Sequence, residues 1–234
     1  MISPLISVVV PTLDEAQNLP HLLADLGTGG TAAEIIVADG GSTDGTQTIA
    51  RQMGAGVIHA ARGRGHQVAA GAAATRGKVL LFLHADSRFP PGGLDRIGEV
   101  LAARPEAVGG NFRLDFDGDT GFDAWLARFY AWIRAKGFYY GDSGIFVRRA
   151  VYERLGGMRP IALMEDYDFV RRLERAGPTI CIDDPPLVTS SRRFAGRSPV
   201  AIVLGWLKIH TLFHLGVSPD RLARLYYGGK PRRI

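Results

Sequence analysis

Apolar residues fall along this chain in short blocks separated by glycine, proline and acid, and the blocks alternate between strand and helix spacing. Ile6–Val10 is an unbroken apolar run stopped by Pro11. Behind Asp14, Glu15 and Asn18, residues suited to a helix start, Leu19, Leu22, Leu23 and Leu26 recur at helical spacing until Gly27 and Gly30 close the segment. Glu34–Asp39 repeats the strand pattern and ends in aspartate, Gly40, Gly41 and Ser42 turn the chain, and Thr43–Met53 reads as a modest helix. Val57–Ala60 is a third strand, Gly63–Gly65 a tight basic loop, and the alanine-rich His66–Thr75 a helix. Val79–Leu83 is then apolar without a break, as in a strand covered on both faces of a parallel sheet, and Asp86 stands just beyond it. This alternation predicts an α/β chain with a mainly parallel sheet and right-handed crossovers. Thr12, Asp39 and Asp86 would then share the carboxyl edge, where open α/β sheets bind ligands.

After Pro91 the rhythm changes. Leu94–Leu101 reads as a helix and Ala107–Phe116 as a longer strand. Asp115, Asp117 and Asp119 lack the closing glutamate of a calcium loop and read as a solvated turn. Phe122, Trp125, Leu126, Phe129, Trp132 and Ile133 form an aromatic helical stripe, core by its pattern and also able to wall a groove. Gly141–Gly144 lead into a strand at Ile145–Val147. Glu165, Asp166 and Asp168 crowd the start of a helix, more acid than dipole stabilisation requires. Thr179–Ile182 reads as a short buried strand, and Pro199–Leu215 as a nearly apolar helix with Lys208, Thr211 and His214 on one face.

With 234 residues and 46% apolar content, the chain has room for one large domain, read as residues 1–198 and divided near residue 90. An amphipathic helix and basic tail at 199–234 follow. The single cysteine, Cys181, excludes a disulfide framework or a cysteine zinc cluster, fits a reducing, cytoplasmic setting, and reads as a structural thiol. Residues 192–234 hold nine bases against Asp220 alone, whereas residues 1–191 hold nineteen bases and twenty-two acids. The basic character thus belongs to the tail, and the mildly acidic body argues against nucleic-acid binding. The amino-terminal run lacks a basic flank and stops at Pro11, unlike a signal peptide. No apolar stretch is long enough to span a bilayer. The apolar helix with its basic surroundings suits peripheral contact with an anionic membrane, at its inner face.

The carboxyl-edge residues suggest a chemistry. An aspartate ending the second strand suits ribose or base groups. Arg62 and Arg64, before a helix, suit an anion. Asp86 suits Mg²⁺ or Mn²⁺, which are often held by one or two carboxylates plus substrate phosphates. Asp166 could act as a general base, and Arg192 and Arg193 could neutralise a departing diphosphate.

Pro11-Thr12-Leu13-Asp14-Glu15, Ala38–Thr46, His84-Ala85-Asp86 and Glu165-Asp166 resemble, in order and separation, the motifs of family 2 glycosyltransferases with the GT-A (Rossmann-like) fold. The resemblance covers about residues 5–195. It is closest to a bacterial subgroup known as radical-SAM/selenodomain-associated glycosyltransferases, on GDSGIFVRR, MEDYDF and SSRRF. It implies a nucleotide-diphosphate sugar contacted by Pro11, Thr12, Glu15 and Asp39, with Arg62, Arg64 and His84 near sugar or phosphates. It further implies a divalent metal, Mn²⁺ or Mg²⁺, at Asp86 and an inverting transfer with Asp166 as base beside Glu165. Asp142 and Trp125 are candidates for contact with an unidentified acceptor, lipid-linked or apolar. Two positions depart from the family pattern: His84 replaces the first acid of D-x-D, and Gly40 replaces the second of D-D-G-S. A sugar-phosphate nucleotidyltransferase is disfavoured by Pro11–Glu15 where its glycine-rich loop should stand, and a silent nucleotide-sugar-binding module by the presence of both Asp86 and Asp166.

Overall fold

The structure, a computed structural model, describes residues 6–28, 30–191 and 198–228. Among these, seven strands form one sheet: β1 (Ile6–Thr12), β2 (Ala33–Asp39), β3 (Gly56–His59), β4 (Val79–Phe82), β5 (Gly109–Phe116), β6 (Ile145–Arg148) and β7 (Thr179–Thr189). Their order is β3-β2-β1-β4-β6-β5-β7. β6 runs antiparallel to both its neighbours, and every other pairing is parallel. The helices are α1 (Leu19–Leu26), α2 (Thr46–Gln52), α3 (Arg64–Ala73), α4 (Gly93–Ala103), α5 (Gly121–Arg134), α6 (Arg149–Arg154), α7 (Glu165–Ala176), α8 (Pro199–His214) and α9 (Pro219–Tyr227).

The continuous apolar strands divide residue by residue between two cores, as the pleat requires. Val8, Val10, Leu81 and Leu83 point into one, with Leu22 of α1, Ile97 of α4 and Phe112. Val9, Leu80 and Phe82 point into the other, with Val68 of α3 and Phe169 and Leu173 of α7. A third, smaller core sets Leu163, Met164 and Tyr167 against Ile209 of α8 and Leu222 of α9.

The reversed strand shapes the site. Ile145, which opens β6, pairs with Phe82, which closes β4, so the turn at Gly141–Ser143 lies at the carboxyl edge. α7 must run back from that edge to begin β7, which is parallel to β5, and its first turn therefore lies at the same edge.

Several boundaries differ from expectation. β7 continues well past Ile182, through Pro185 and Pro186, with a register shift between Phe112 and Leu114 of β5. It ends the strand order, and an outer strand tolerates prolines that cannot donate to a ladder. α3 begins at Arg64, so this arginine is helical rather than in the loop. α2 begins at Thr46, because Asp44 accepts the Thr46 N–H at 3.0 Å and keeps the preceding residues in a turn. α6 is too short for a periodic signal. α9 replaces part of the expected basic tail and forms a hairpin with α8.

Candidate active site

Two polar clusters stand at the carboxyl edge. In the first, Thr12 and Asp39 face each other in register, and the Thr12 hydroxyl donates to Asp39 Oδ1 at 3.2 Å. Asp39 also accepts the N–H groups of Gly41 and Ser42, both at 2.9 Å, Gln47 Nε2 at 2.8 Å and the Ser42 hydroxyl. An ionised carboxylate offers about four lone-pair positions, so these donors fill it. Burial pushes the Asp39 carboxyl up, but the Ser42, Gly41 and Gln47 donors outweigh it and hold the group below its usual range. Its observed work is to fasten the loop after β2. Further bonds join that loop to residues 14–16, among them Thr43 N–H to Asp14 Oδ1 at 2.8 Å, Asp14 N–H to Ser42 Oγ at 2.9 Å, Ala16 N–H to Asp44 Oδ2 at 2.9 Å, and Glu15 N–H to Thr46 Oγ1 at 2.9 Å. Asp14 takes a left-handed φ of 55°, which aspartate tolerates better than most residues. Beneath the crevice lies Gln67 of α3, fully buried, its Nε2 donating to the carbonyls of Thr12 at 2.7 Å and Ala38 at 2.9 Å. A Cβ at Gly40 would come within 3.0 Å of that amide, a reason for glycine at this position.

The second cluster centres on Asp166, in the first turn of α7. Met164 leads into that turn at a φ of 69°, a conformation that costs a non-glycine residue about 1–3 kcal/mol and persists here with the side chain buried in the third core. Asp166 Oδ2 accepts the Gly141 N–H at 2.9 Å and Arg64 Nη2 at 3.1 Å, and Oδ1 accepts the Tyr167 N–H at 2.7 Å. Arg64 Nε bonds Glu165, and Arg64 Nη1 lies 3.4 Å from His84 Nε2. Burial would raise the Asp166 pKa, but the Arg64 charge, the two N–H donors and His84 outweigh it and hold the group below the usual carboxylate range. Burial would likewise lower the Arg64 pKa, and the charges of Glu165 and Asp166 raise it instead. A Cβ at Gly141 would meet His84 Nε2 at 3.1 Å and Asp166 Oδ2 at 3.2 Å, so glycine admits both groups. Asp142, next along the turn and buried, accepts the Tyr130 hydroxyl at 3.2 Å.

Arg64, Asp142 and Asp166, with His84 beside them, line a cavity of about 300 Å³. Apolar and aromatic side chains supply most of the remainder, among them Phe129 and Ile133 of α5, Trp206 and Leu207 of α8, and Tyr226 of α9. Tyr140 Oη lies 3.1 Å from His210 Nε2, and Tyr167 Oη lies 2.9 Å from His214 Nε2, tying α8 to the carboxyl edge. The arrangement can bring an ionised carboxylate to a hydroxyl borne on an apolar body.

The candidate residues thus separate. Thr12, Glu15 and Asp39 share the crevice with Pro11 in the strand beneath. Glu15 is buried, and its Oε2 takes Asn18 Nδ2 at 2.6 Å. Arg64, expected at the donor, has its guanidinium in the Asp166 cluster, and His84 joins it there. Arg62 is exposed on the loop before α3. Asp86 is half-buried in the turn after β4 and does not line the cavity. Among the described residues no group of three His, Cys, Asp or Glu side chains is placed to hold a metal. One oxygen ligand at the sheet edge fits Mg²⁺ or Mn²⁺ that draws its other ligands from donor phosphates and water. Trp125 stacks between Phe122 and Phe129, at 5.7 and 5.2 Å between centroids, and Phe129 rather than Trp125 faces the cavity. Arg192 and Arg193 lie outside the described residues. Cys181 is half-buried rather than buried, and burial pushes its thiol up to about 11, far from a reactive thiolate. Gln67, Tyr140, Tyr167 and His210 were not foreseen. His210 and His214, four apart on a mostly apolar helix, are the one signal that could have found their partners.

A family model described as glycosyl transferase family 2 matches residues 7–155. Over 109 residues the chain is 34% identical to an uncharacterized glycosyltransferase of Mycobacterium bovis, covering 46% of this chain and 49% of that protein. Over 117 residues it is 32% identical to the undecaprenyl-phosphate 4-deoxy-4-formamido-L-arabinose transferase of Pseudomonas paraeruginosa, covering 45% of this chain and 34% of that protein. The chain therefore spans half or less of the length of these relatives. Among solved structures, a mannosyltransferase from Pyrobaculum calidifontis, in complex with GDP-Man and Mn²⁺, superposes with a TM-score of 0.65 at 18% identity, covering 96% of this chain and 69% of that one. That likeness is one of fold.

Proposed function

The chain belongs to glycosyl transferase family 2 and has the GT-A fold, and from that premise we propose that it transfers a sugar from a nucleotide-diphosphate donor to a hydroxyl held in the cavity, with inversion. The observation that carries the reading is Asp166: a carboxylate kept ionised, with both oxygens oriented, on the wall of a cavity at the carboxyl edge of the sheet. The solved mannosyltransferase, of like fold, is in complex with GDP-Man and Mn²⁺, which supports a nucleotide sugar and a divalent metal here.

In this reading the nucleotide lies over the Thr12, Glu15 and Asp39 crevice, with Pro11 beneath and Arg62 toward the phosphates. Asp86 would hold Mn²⁺ or Mg²⁺ together with the diphosphate, and the metal would offset charge building on the leaving group. His84 donates to a phosphate or sugar oxygen. Asp166 accepts the acceptor hydroxyl's proton as that oxygen bonds to the anomeric carbon, while the bond to the diphosphate breaks and its electron pair leaves with the phosphate. A single displacement inverts the anomeric centre. Glu165 acts on the base through Arg64. Asp142 stands where the acceptor enters, whose apolar body rests on the aromatic wall. A cytoplasmic location at the inner face of a membrane suits such an acceptor, as the likeness to an undecaprenyl-phosphate transferase suggests.

The test is a thermal-shift panel of UDP, GDP, TDP and CDP with and without Mn²⁺. One nucleotide with Mn²⁺ should raise the melting temperature, since a ligand bound only to the folded state stabilises it by mass action, about 2.7 kcal/mol at a hundredfold excess over Kd. No shift with any nucleotide overturns the reading.

A further inference from the structure

α8 is apolar on both sides. Its inner side buries Ile202 and Ile209. Its outer side carries Val200, 67% exposed, Leu204, 58%, and Leu207, 61%, a stripe at spacings of four and three that continues to Leu215, 74%, just past its end. Trp132 of α5, 61% exposed, stands nearby through Phe129, which packs on both Trp132 and Trp206. A helix apolar all round belongs in a buried or lipid setting, and a contiguous apolar patch on a surface marks an interaction site. Leu207 belongs both to this patch and to the cavity lining, so the patch runs to the cavity's mouth.

Charge identifies the partner. Lys208 lies within the outer stripe, and Arg221 and Arg224 are exposed on α9, while Asp220 is the only acid between residues 199 and 228. Exposed apolar side chains on a hairpin that also carries exposed cations fit an anionic lipid surface. Among the described residues no helix is long and apolar enough to cross a membrane. α8, with 16 residues, is about 24 Å long against a hydrocarbon core of about 30 Å. Lying in the interface, it can bury the apolar residues of its outer stripe while the Lys208 stem lies along them and its ammonium reaches the headgroups.

We propose that the outer face of α8, with Trp132, seats in an anionic bilayer and opens the cavity to the lipid, so that the acceptor is an amphiphile whose apolar chain passes Leu207 while its hydroxyl reaches Asp166. The acceptor part rests on the function proposed above; the docking part stands on the surface alone.

The test is co-sedimentation of the full chain with vesicles of phosphatidylcholine alone and of phosphatidylcholine with phosphatidylglycerol, at low and high salt. The wild type should pellet with the anionic vesicles at low salt and bind them at least about tenfold less tightly at high salt, as screening predicts. Val200→Glu/Leu204→Glu should lose binding about tenfold or more while keeping the wild-type melting temperature and nucleotide shift, since neither residue lines the cavity. Trp132→Ser, on another helix, should weaken binding in the same direction. Full recovery of the wild type in the supernatant at low salt overturns the docking. A concentration-dependent dimer in ultracentrifugation, abolished by the same glutamates, also overturns it and assigns the face to a second copy. A retained nucleotide shift with no vesicle binding removes this inference alone; vesicle binding with no nucleotide shift removes the transfer chemistry and leaves the docking.

Discussion

Arg64 shows what a single side chain does to this site. By sequence it pairs with Arg62 as an anion binder; in the structure its fork reaches Glu165 and Asp166 and its third nitrogen faces His84. Asp166 is buried, and without the guanidinium the cost of burying its charge would dominate, so its pKa would rise. Arg64→Met should therefore move the acid limb of the kcat–pH profile to higher pH, with donor KM little changed, and Arg64→Lys, which keeps the charge but not the fork, should move it less. A pH-rate series on the three proteins decides; an unmoved limb would return Arg64 to the donor. Gln67 is the opposite case, invisible in sequence because a lone glutamine in an alanine-rich helix carries no pattern. Yet it satisfies two buried carbonyls, and Gly40 leaves room for it. Gln67→Leu should lower stability by about 1–3 kcal/mol, the cost of buried polar groups left without partners. Gly40→Asp should lose stability in the same direction by displacing the amide. Urea unfolding midpoints check both.

At the scale of elements, periodicity found the strands, because a continuous apolar run has only one economical home, between two helical layers. β1 and β4 were legible for that reason, and so was the carboxyl edge where Thr12 and Asp39 meet. Periodicity failed where it has no contrast. β7 mixes two aspartates and two prolines into a strand, which only an outer position permits. α8 carries apolar residues all round, with too few polar ones to mark a face, so its buried side was not legible, and polar partners join Ile202 and Ile209 in placing it. Tyr167 of α7 bonds His214 at 2.9 Å, and Tyr140 bonds His210 at 3.1 Å. Tyr167→Phe keeps the ring that packs against His210 and Phe213 and removes one bond. It should cost about 0.5–1.5 kcal/mol and raise amide exchange in α8 more than in β1 or β4. Equal exchange in all three would mean that the Tyr–His pair does not hold the hairpin.

Over the whole molecule, the two polar clusters come from different parts of the chain, and a reversed β6 brings the second to the carboxyl edge where the first stands. The first half supplies the Thr12 and Asp39 crevice; the second supplies Gly141, Asp142 and Asp166, which sequence motifs named without showing that Asp166 bonds both Gly141 and Arg64. The metal is where the parts are least complete. With no three-ligand group among the described side chains and Asp86 as the candidate carboxylate, a divalent ion held there must take most of its ligands from the donor diphosphate and water. Metal and nucleotide binding should then be strongly coupled, and coupling free energy is reciprocal. Mn²⁺ titrated alone should bind weakly; Mn²⁺ titrated in saturating nucleotide should bind more tightly by some factor, and the nucleotide's affinity should fall by that same factor when EDTA strips the metal. Asp86→Asn should shrink both factors together while leaving the metal-free nucleotide affinity close to wild type, because the crevice at Thr12 and Asp39 is untouched. Calorimetry in both directions gives the two factors independently. A metal that binds tightly without nucleotide, or a coupling indifferent to Asp86, would mean that the ion sits elsewhere on the chain.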